Sequence, residues 1–168
     1  IAREVGSLPG VIGWQIDNEF KCHVSECMCN TCNDLWHEWL KERYETVENL
    51  NEAWGTKIWS EYYHSFEQVP QPGPAPFLHN SSLNTMYQLF SMEKIAEFSD
   101  GQAQIIRKYS SAPITHNSSV FFSVDNERIF KNLDFASFDT YATIENFPAY
   151  LINSDLWRNF KKDRGFWV

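Results

Sequence analysis

The chain alternates between short apolar runs and longer stretches in which apolar residues recur every three to four positions. Ile1–Leu8 reads as the last turns of a helix, closed by Pro9-Gly10. Val11–Ile16 is nearly continuous in apolar residues and predicts a short strand of a parallel sheet covered on both faces. Cys32–Tyr44 (CNDLWHEWLKERY) sets Leu35, Trp36, Trp39 and Leu40 on one helical stripe. Thr46 starts a shorter helix, VENLNEAW, which Gly55 ends. The proline-rich run Pro70–Pro76 is a loop. Asn80 or Ser81 then caps a long helix from about Leu83 to Tyr109, with Met86, Leu89, Phe90, Ile95, Phe98, Ile105 and Ile106 in its stripe. Ala112–Thr115 is a second strand, ending in His116-Asn117. Asn126–Lys131 is a small helix, Leu133–Tyr141 (LDFASFDTY) an alternating strand, and Ala149–Lys161 a helix. Phe166-Trp167-Val168 begins a further strand after Gly165.

Strands alternating with helices predict βαβ units and a parallel sheet. Two architectures compete, a doubly wound sheet and a (β/α)8 barrel. No glycine-rich phosphate loop follows any strand, which removes the main support for a nucleotide-binding sheet. A whole barrel takes about 250 residues. The 168 residues present hold part of one, within a single domain.

The content of hydrophobic residues, 43%, is enough for a core. A net charge of −8 with no basic run argues against a nucleic-acid partner. No apolar stretch approaches a membrane span. The four cysteines, Cys22, Cys27, Cys29 and Cys32, crowd into one short loop. A disulfide framework spreads its cysteines to close useful loops; crowding favours metal or reduced thiols and a cytoplasmic setting. Cys27-x-Cys29-x-x-Cys32 has the density of a zinc site but offers three of the four ligands a tetrahedron needs. The plainer reading is a surface loop of reduced thiols.

The run VIGWQIDNEF ends in a carboxylate. In parallel α/β folds the carboxyl ends of strands form the functional rim, and Asn18-Glu19 falls there. Partial shielding by Trp14 and Phe20 would favour the protonated carboxyl, as a general acid requires. The amide before it offers a donor and an acceptor to a sugar hydroxyl. Taken alone, such a dipeptide is most often an ordinary surface pair.

The ordered segments GWQIDNEF, CHVSECMCNTC, WLKERYETVENLNEAWGTKIWSEYY, SFEQVPQP, ITHN and LDFASFDTY together resemble the β-galactosidases of glycoside hydrolase family 42. The resemblance runs from Gly10 to Val168 and is most specific between Gly13 and Tyr63. It implies a retaining, exo-acting glycosidase on a (β/α)8 barrel, residues 1–168 covering about strands four to seven of one catalytic domain truncated at both ends. Glu19 is then the proton donor after strand four, and Asn18 binds the sugar 2-hydroxyl. Trp59 reaches an active site across a subunit boundary of a homotrimer. Tyr141, after strand six, contacts sugar and nucleophile. The nucleophile is a second Glu just beyond Val168, so that this stretch alone hydrolyses nothing. Cys27, Cys29 and Cys32, with a fourth cysteine from an earlier loop, hold a structural zinc; no organic cofactor is implied. The substrate is a β-galactoside. A competing reading from another class is a zinc-stabilised, non-catalytic carbohydrate-binding or interaction module. His116 reads as a satisfied structural histidine, and Asp134 and Asp139 as capping or pairing groups.

Overall fold

A computed structural model describes residues 1–74 and 80–168, the side chain of Trp59 excepted. Part of the predicted Pro70–Pro76 loop, residues 75 and 76, lies outside the described residues. The chain forms two compact units, one of Ile1–Val24 with Met92–Val168 and one of Ser25–Ser91.

The first unit contains α1 (Ala2–Val5), β1 (Trp14–Gln15), β2 (Ile114–Thr115), β3 (Asn117–Ser118), α5 (Asn126–Lys131), β4 (Ala136–Phe138), α6 (Phe147–Phe160) and β5 (Phe166–Trp167). All its pairings are parallel: β1 with β2, β3 with β4, and β4 with β5. The pairings give a two-stranded sheet, β1-β2, and a three-stranded sheet, β3-β4-β5, and His116 alone separates β2 from β3 along the chain. Helices cover one face. Ile16, Ile114, Ala136 and Phe138 pack there with Ala96, Ala103, Ile129, Phe130 and Trp157. The other face is not covered as the apolar runs predict. Gln15, Thr115, Asn117, Ser137 and Asp139, together with Trp14, Phe135, Phe138 and Trp167, line a hollow of about 350 Å³ there. The period of two along a strand sends Thr115 and Ser137 to this side and Ile114 and Ala136 to the helix-covered one. Thr115 and Ser137 remain satisfied: the Thr115 hydroxyl donates to the Phe135 carbonyl at 2.8 Å, and that of Ser137 to the His116 carbonyl at 3.0 Å. Among the described residues these two sheets close no barrel, and β1 and β5 are each paired on one side.

Two predicted patterns are corrected. The strand expected over Leu133–Tyr141 shrinks to Ala136–Phe138, and its three residues are all buried rather than alternating. Backbone pairing ends where β3 and β5 end, so the residues beyond have no ladder to join.

The second unit holds α2 (Asn30–Tyr44), α3 (Val47–Trp54) and short 3-10 turns at Ile58–Ser60 and Phe66–Gln68. The long helix α4 (Ser81–Arg107) gives Ser81–Ser91 to this unit and the remainder to the first. Trp36, Trp39, Leu40, Leu50, Trp54, Tyr87 and Phe90 form its core, with Leu35 partly buried against them. Thr46 caps α3 by accepting from the Asn49 N–H, and Gly55 stops it in the left-handed conformation at φ 63°. Asn80 caps α4 by accepting from the Ser82 N–H at 2.9 Å. The stripe of α4 is the second correction. Phe90 is buried and Met86, Ile95 and Ile106 pack against the two cores as expected, but Leu89, Phe98 and Ile105 are exposed, and Leu83, Tyr87, Ala96, Ser99 and Ala103 are buried in addition. Among the described residues no helix is long and apolar enough to cross a membrane.

Candidate active site and cysteine cluster

Beyond β1 the backbone turns through alternate left-handed residues: Asp17 at φ 53°, Glu19 at 44°, Lys21 at 62° and His23 at 57°. None is glycine, and each such residue costs about 1–2 kcal/mol unless its surroundings hold it. For the first part of this turn the neighbouring strand supplies the hold. His116, fully buried between β2 and β3, stacks on Phe20 with ring centroids 4.0 Å apart. Its Nδ1 lies 2.8 Å from the Ile16 carbonyl, and its Nε2 accepts from the Phe20 N–H at 3.3 Å. One tautomer satisfies both contacts, the neutral ring with the proton on Nδ1. Burial holds the pKa of His116 below its ordinary value, although the Ile16 carbonyl and the carboxylates of Asp17, Asp139 and Glu19 act the other way. The sequence expectation of a satisfied structural histidine is met.

Asn117, the next residue, ties three strand ends together. Its Oδ1 accepts from the Gln15 side chain at 3.0 Å and from the Glu19 N–H at 3.2 Å. Its Nδ2 donates to Asn18 Oδ1 at 3.0 Å and to Asp139 Oδ2 at 2.8 Å. Asn18 is exposed and Glu19 half-buried, and the Asn18 amide donates to Glu19 Oε2 at 3.4 Å. Asp17 accepts from the Asn18 N–H at 2.8 Å and from Gln102 at 3.2 Å. Phe20 turns into the core against His116, and the Trp14 indole donates to Ser110 at 3.0 Å. Partial burial, then a hydrogen bond and charge from Glu19, push the Cys22 thiol above its usual range. Sequence reasoning reached Asn18 and Glu19 and placed His116-Asn117 at the end of the second predicted strand, but gave Asn117 no role; its position two residues beyond Thr115 was the available signal.

Tyr141 is in the loop after β4 and is 85% exposed. Trp59 belongs to the turn Ile58–Ser60, its side chain outside the described residues. Phe121 is exposed, whereas Phe122 packs against the core.

In the second unit the sulfurs of Cys27, Cys29 and Cys32 lie within 4.8 Å of one another, and all are free thiols. Among the described residues the grouping of ligand atoms is these three alone. Cys29 caps α2, which therefore begins at Asn30 rather than at the expected Cys32. The Cys32 N–H, followed by the neighbouring thiols, pulls the Cys29 pKa down to about 7. Burial and the other two sulfurs push Cys32 up to about 12. The Tyr87 hydroxyl anchors the loop by donating to the Cys27 carbonyl at 2.5 Å. Zinc–thiolate bonds of about 2.3 Å set sulfurs about 3.8 Å apart, so the donor set fits three corners of a tetrahedron.

A glycoside hydrolase family 42 profile, described as Beta-galactosidase, matches residues 1–168. Beta-galactosidase YesZ of Bacillus subtilis is 72% identical over all 168 residues, which make up 25% of its length. The chain thus spans about a quarter of that curated relative, and the same holds for YesZ of Bacillus licheniformis at 70% identity. The polyextremophilic β-galactosidase of Halorubrum lacusprofundi superposes with a TM-score of 0.91 at 32% identity, over 99% of this chain and 28% of its own.

Proposed function

Because the chain belongs to the glycoside hydrolase family 42 β-galactosidases, we propose that it carries the acid/base side of a retaining β-galactosidase site. In the complete enzyme its strands are the fourth to seventh of a (β/α)8 barrel. What carries this reading is the position of Asn18-Glu19 at the carboxyl end of β1, hydrogen-bonded to Asn117 at the neighbouring strand.

The Glu19 carboxyl protonates the departing glycosidic oxygen while a Glu carboxylate from the rest of the enzyme, about 5 Å away, attacks the anomeric carbon. Glu19, now ionised, then takes a proton from water. The water oxygen displaces the enzyme carboxylate and frees galactose with its configuration retained. The Asn18 amide binds the 2-hydroxyl. Tyr141, exposed in its loop, meets the sugar and the nucleophile. Trp59 completes the pocket of a neighbouring subunit in a homotrimer. Cys27, Cys29 and Cys32 hold a structural zinc with a fourth ligand from the complete enzyme, fixing their loop and taking no part in proton transfer.

The test compares the complete enzyme with its Glu19→Gln variant on methyl β-galactoside. A loss of about 10²–10⁴ in kcat/KM is expected for removal of a general acid. Turnover at the parental rate would end the assignment. Metal analysis of the same preparations checks the cluster: zinc is expected in the parent and absent after Cys27→Ser with Cys29→Ser, and a zinc-free parent would refute it.

A further inference from the structure

We infer that Asn117 is the positioning residue of the proton donor, fixing the Glu19 backbone and the orientation of the Asn18 carboxamide. The inference rests on the acid/base assignment of Glu19. Asn117 is 3% exposed, and its side chain spends nothing on solvent. A carboxamide has two lone pairs and two N–H donors. Here Gln15 and the Glu19 N–H meet the oxygen, and Asn18 Oδ1 and Asp139 Oδ2 meet the nitrogen. All four valences are used in one orientation; a flipped amide would set donor against donor at the Glu19 N–H.

Two consequences reach the reacting groups. Glu19 has φ 44°, a conformation that residues with a side chain leave unless held. The Asn117 contact to its N–H is a hold placed at that residue itself. Asn18 Oδ1 is occupied by Asn117, so the Asn18 amide presents its N–H side toward Glu19 Oε2. Releasing Asn117 frees both the direction of the carboxyl and the choice of amide face. An asparagine that merely stitched strands together would do neither.

Leaving-group chemistry separates the two roles. Methyl β-galactoside needs a proton delivered to its leaving oxygen, whereas 2,4-dinitrophenyl β-galactoside releases a stable phenolate without one. In the complete enzyme, Asn117→Ala is expected to lower kcat/KM on the methyl glycoside about 100-fold, as misplacement of a catalytic group does. The loss on the dinitrophenyl glycoside is expected to be under about tenfold, since acid assistance matters little there. Equal losses on both substrates, or none, would overturn the inference. Should Asn117→Ala not fold, Asn117→Leu is of similar size but offers neither the acceptor for the Glu19 N–H nor the donors for Asn18 and Asp139, and the same selective loss is expected of it. Glu19→Gln is the reference. If it shows the selective loss and the Asn117 variants do not, this inference fails alone; if Glu19→Gln lacks it too, the acid/base assignment fails with it.

Discussion

The turn after β1 and the tryptophan cluster of the second unit hold side chains by opposite means. The turn from Asp17 to Phe20 is left-handed at Asp17 and Glu19 and exposed at Asn18. It is fixed by His116 and Asn117, 96 to 100 positions further along the chain. The cluster is a dry contact of rings. Trp36 stacks on Trp39 at 5.4 Å and on Trp54 at 6.4 Å, with Tyr87 edge-on at 5.1 Å. Packing is strong in sum, but each atom contact is small and weakly directional. Hydrogen bonds to a strained backbone stabilise less and aim more. A group that must deliver a proton along one line needs the second kind.

The contrast is broken most forcefully from the packed side. Trp36 is fully buried, and Trp36→Ala should cost about 3–5 kcal/mol by removing a large core ring. Denaturant unfolding followed by circular dichroism measures it. A cost below about 1 kcal/mol would mean that the cluster is not the stabilising element. The Trp36 indole N–H finds no acceptor among the described residues, so Trp36→Phe should be far milder.

The same difference decides what the sequence alone disclosed. Helix α2 follows from a stripe within fifteen residues, Asn30–Tyr44, because its signal is local. The cysteine cluster is likewise legible from spacing. The buried face of α4 is not. Its buried residues include the small Ala96, Ser99 and Ala103, while the larger Leu89, Phe98 and Ile105 are outward, so ranking by hydrophobicity finds Met86, Phe90, Ile95 and Ile106 but misplaces the rest of the face. Apolar content overstates the strand lengths, because pairing is what ends them. Glu19 stood out through its place at a strand end together with a family resemblance. Asn117 did not, because its partners meet it only once the sheet has formed.

His116 sharpens the comparison from the hydrogen-bonded side. His116→Ala leaves the Ile16 carbonyl and the Phe20 N–H without their buried partner, at about 1–3 kcal/mol for an unsatisfied group. In the parent protein the ring also makes stability depend on pH. Its folded pKa lies below the ordinary 6.5 because burial disfavours the charged form. Above 6.5 the ring is neutral in both states and its contribution is complete. Below 6.5 the unfolded chain takes up a proton that the folded chain refuses, so stability declines with falling pH until the folded ring also protonates. Asp17, Asp139 and Glu19 face the ring and narrow that window. Unfolding titrations at stepped pH should show this decline in the parent and its absence in His116→Ala. An unchanged slope in the variant would assign the dependence elsewhere.

The smallest expected effect belongs to a contact that is local in every sense. Thr46 Oγ1 accepts from the Asn49 N–H at 3.2 Å, closing the first turn of α3 three residues away. Thr46→Ala should cost about 1 kcal/mol, the usual loss of a threonine cap. Asn49 also donates from its side chain to the Tyr44 carbonyl at 3.0 Å, so part of the turn keeps a second tie. Because α3 buries Val47, Leu50 and Trp54 against the ring cluster, the helix itself should survive, with helicity by circular dichroism retained. If the variant instead melts α3, then packing on Trp36 does not secure the second unit. The division between a packed unit and a hydrogen-bonded strand end would then have to be redrawn.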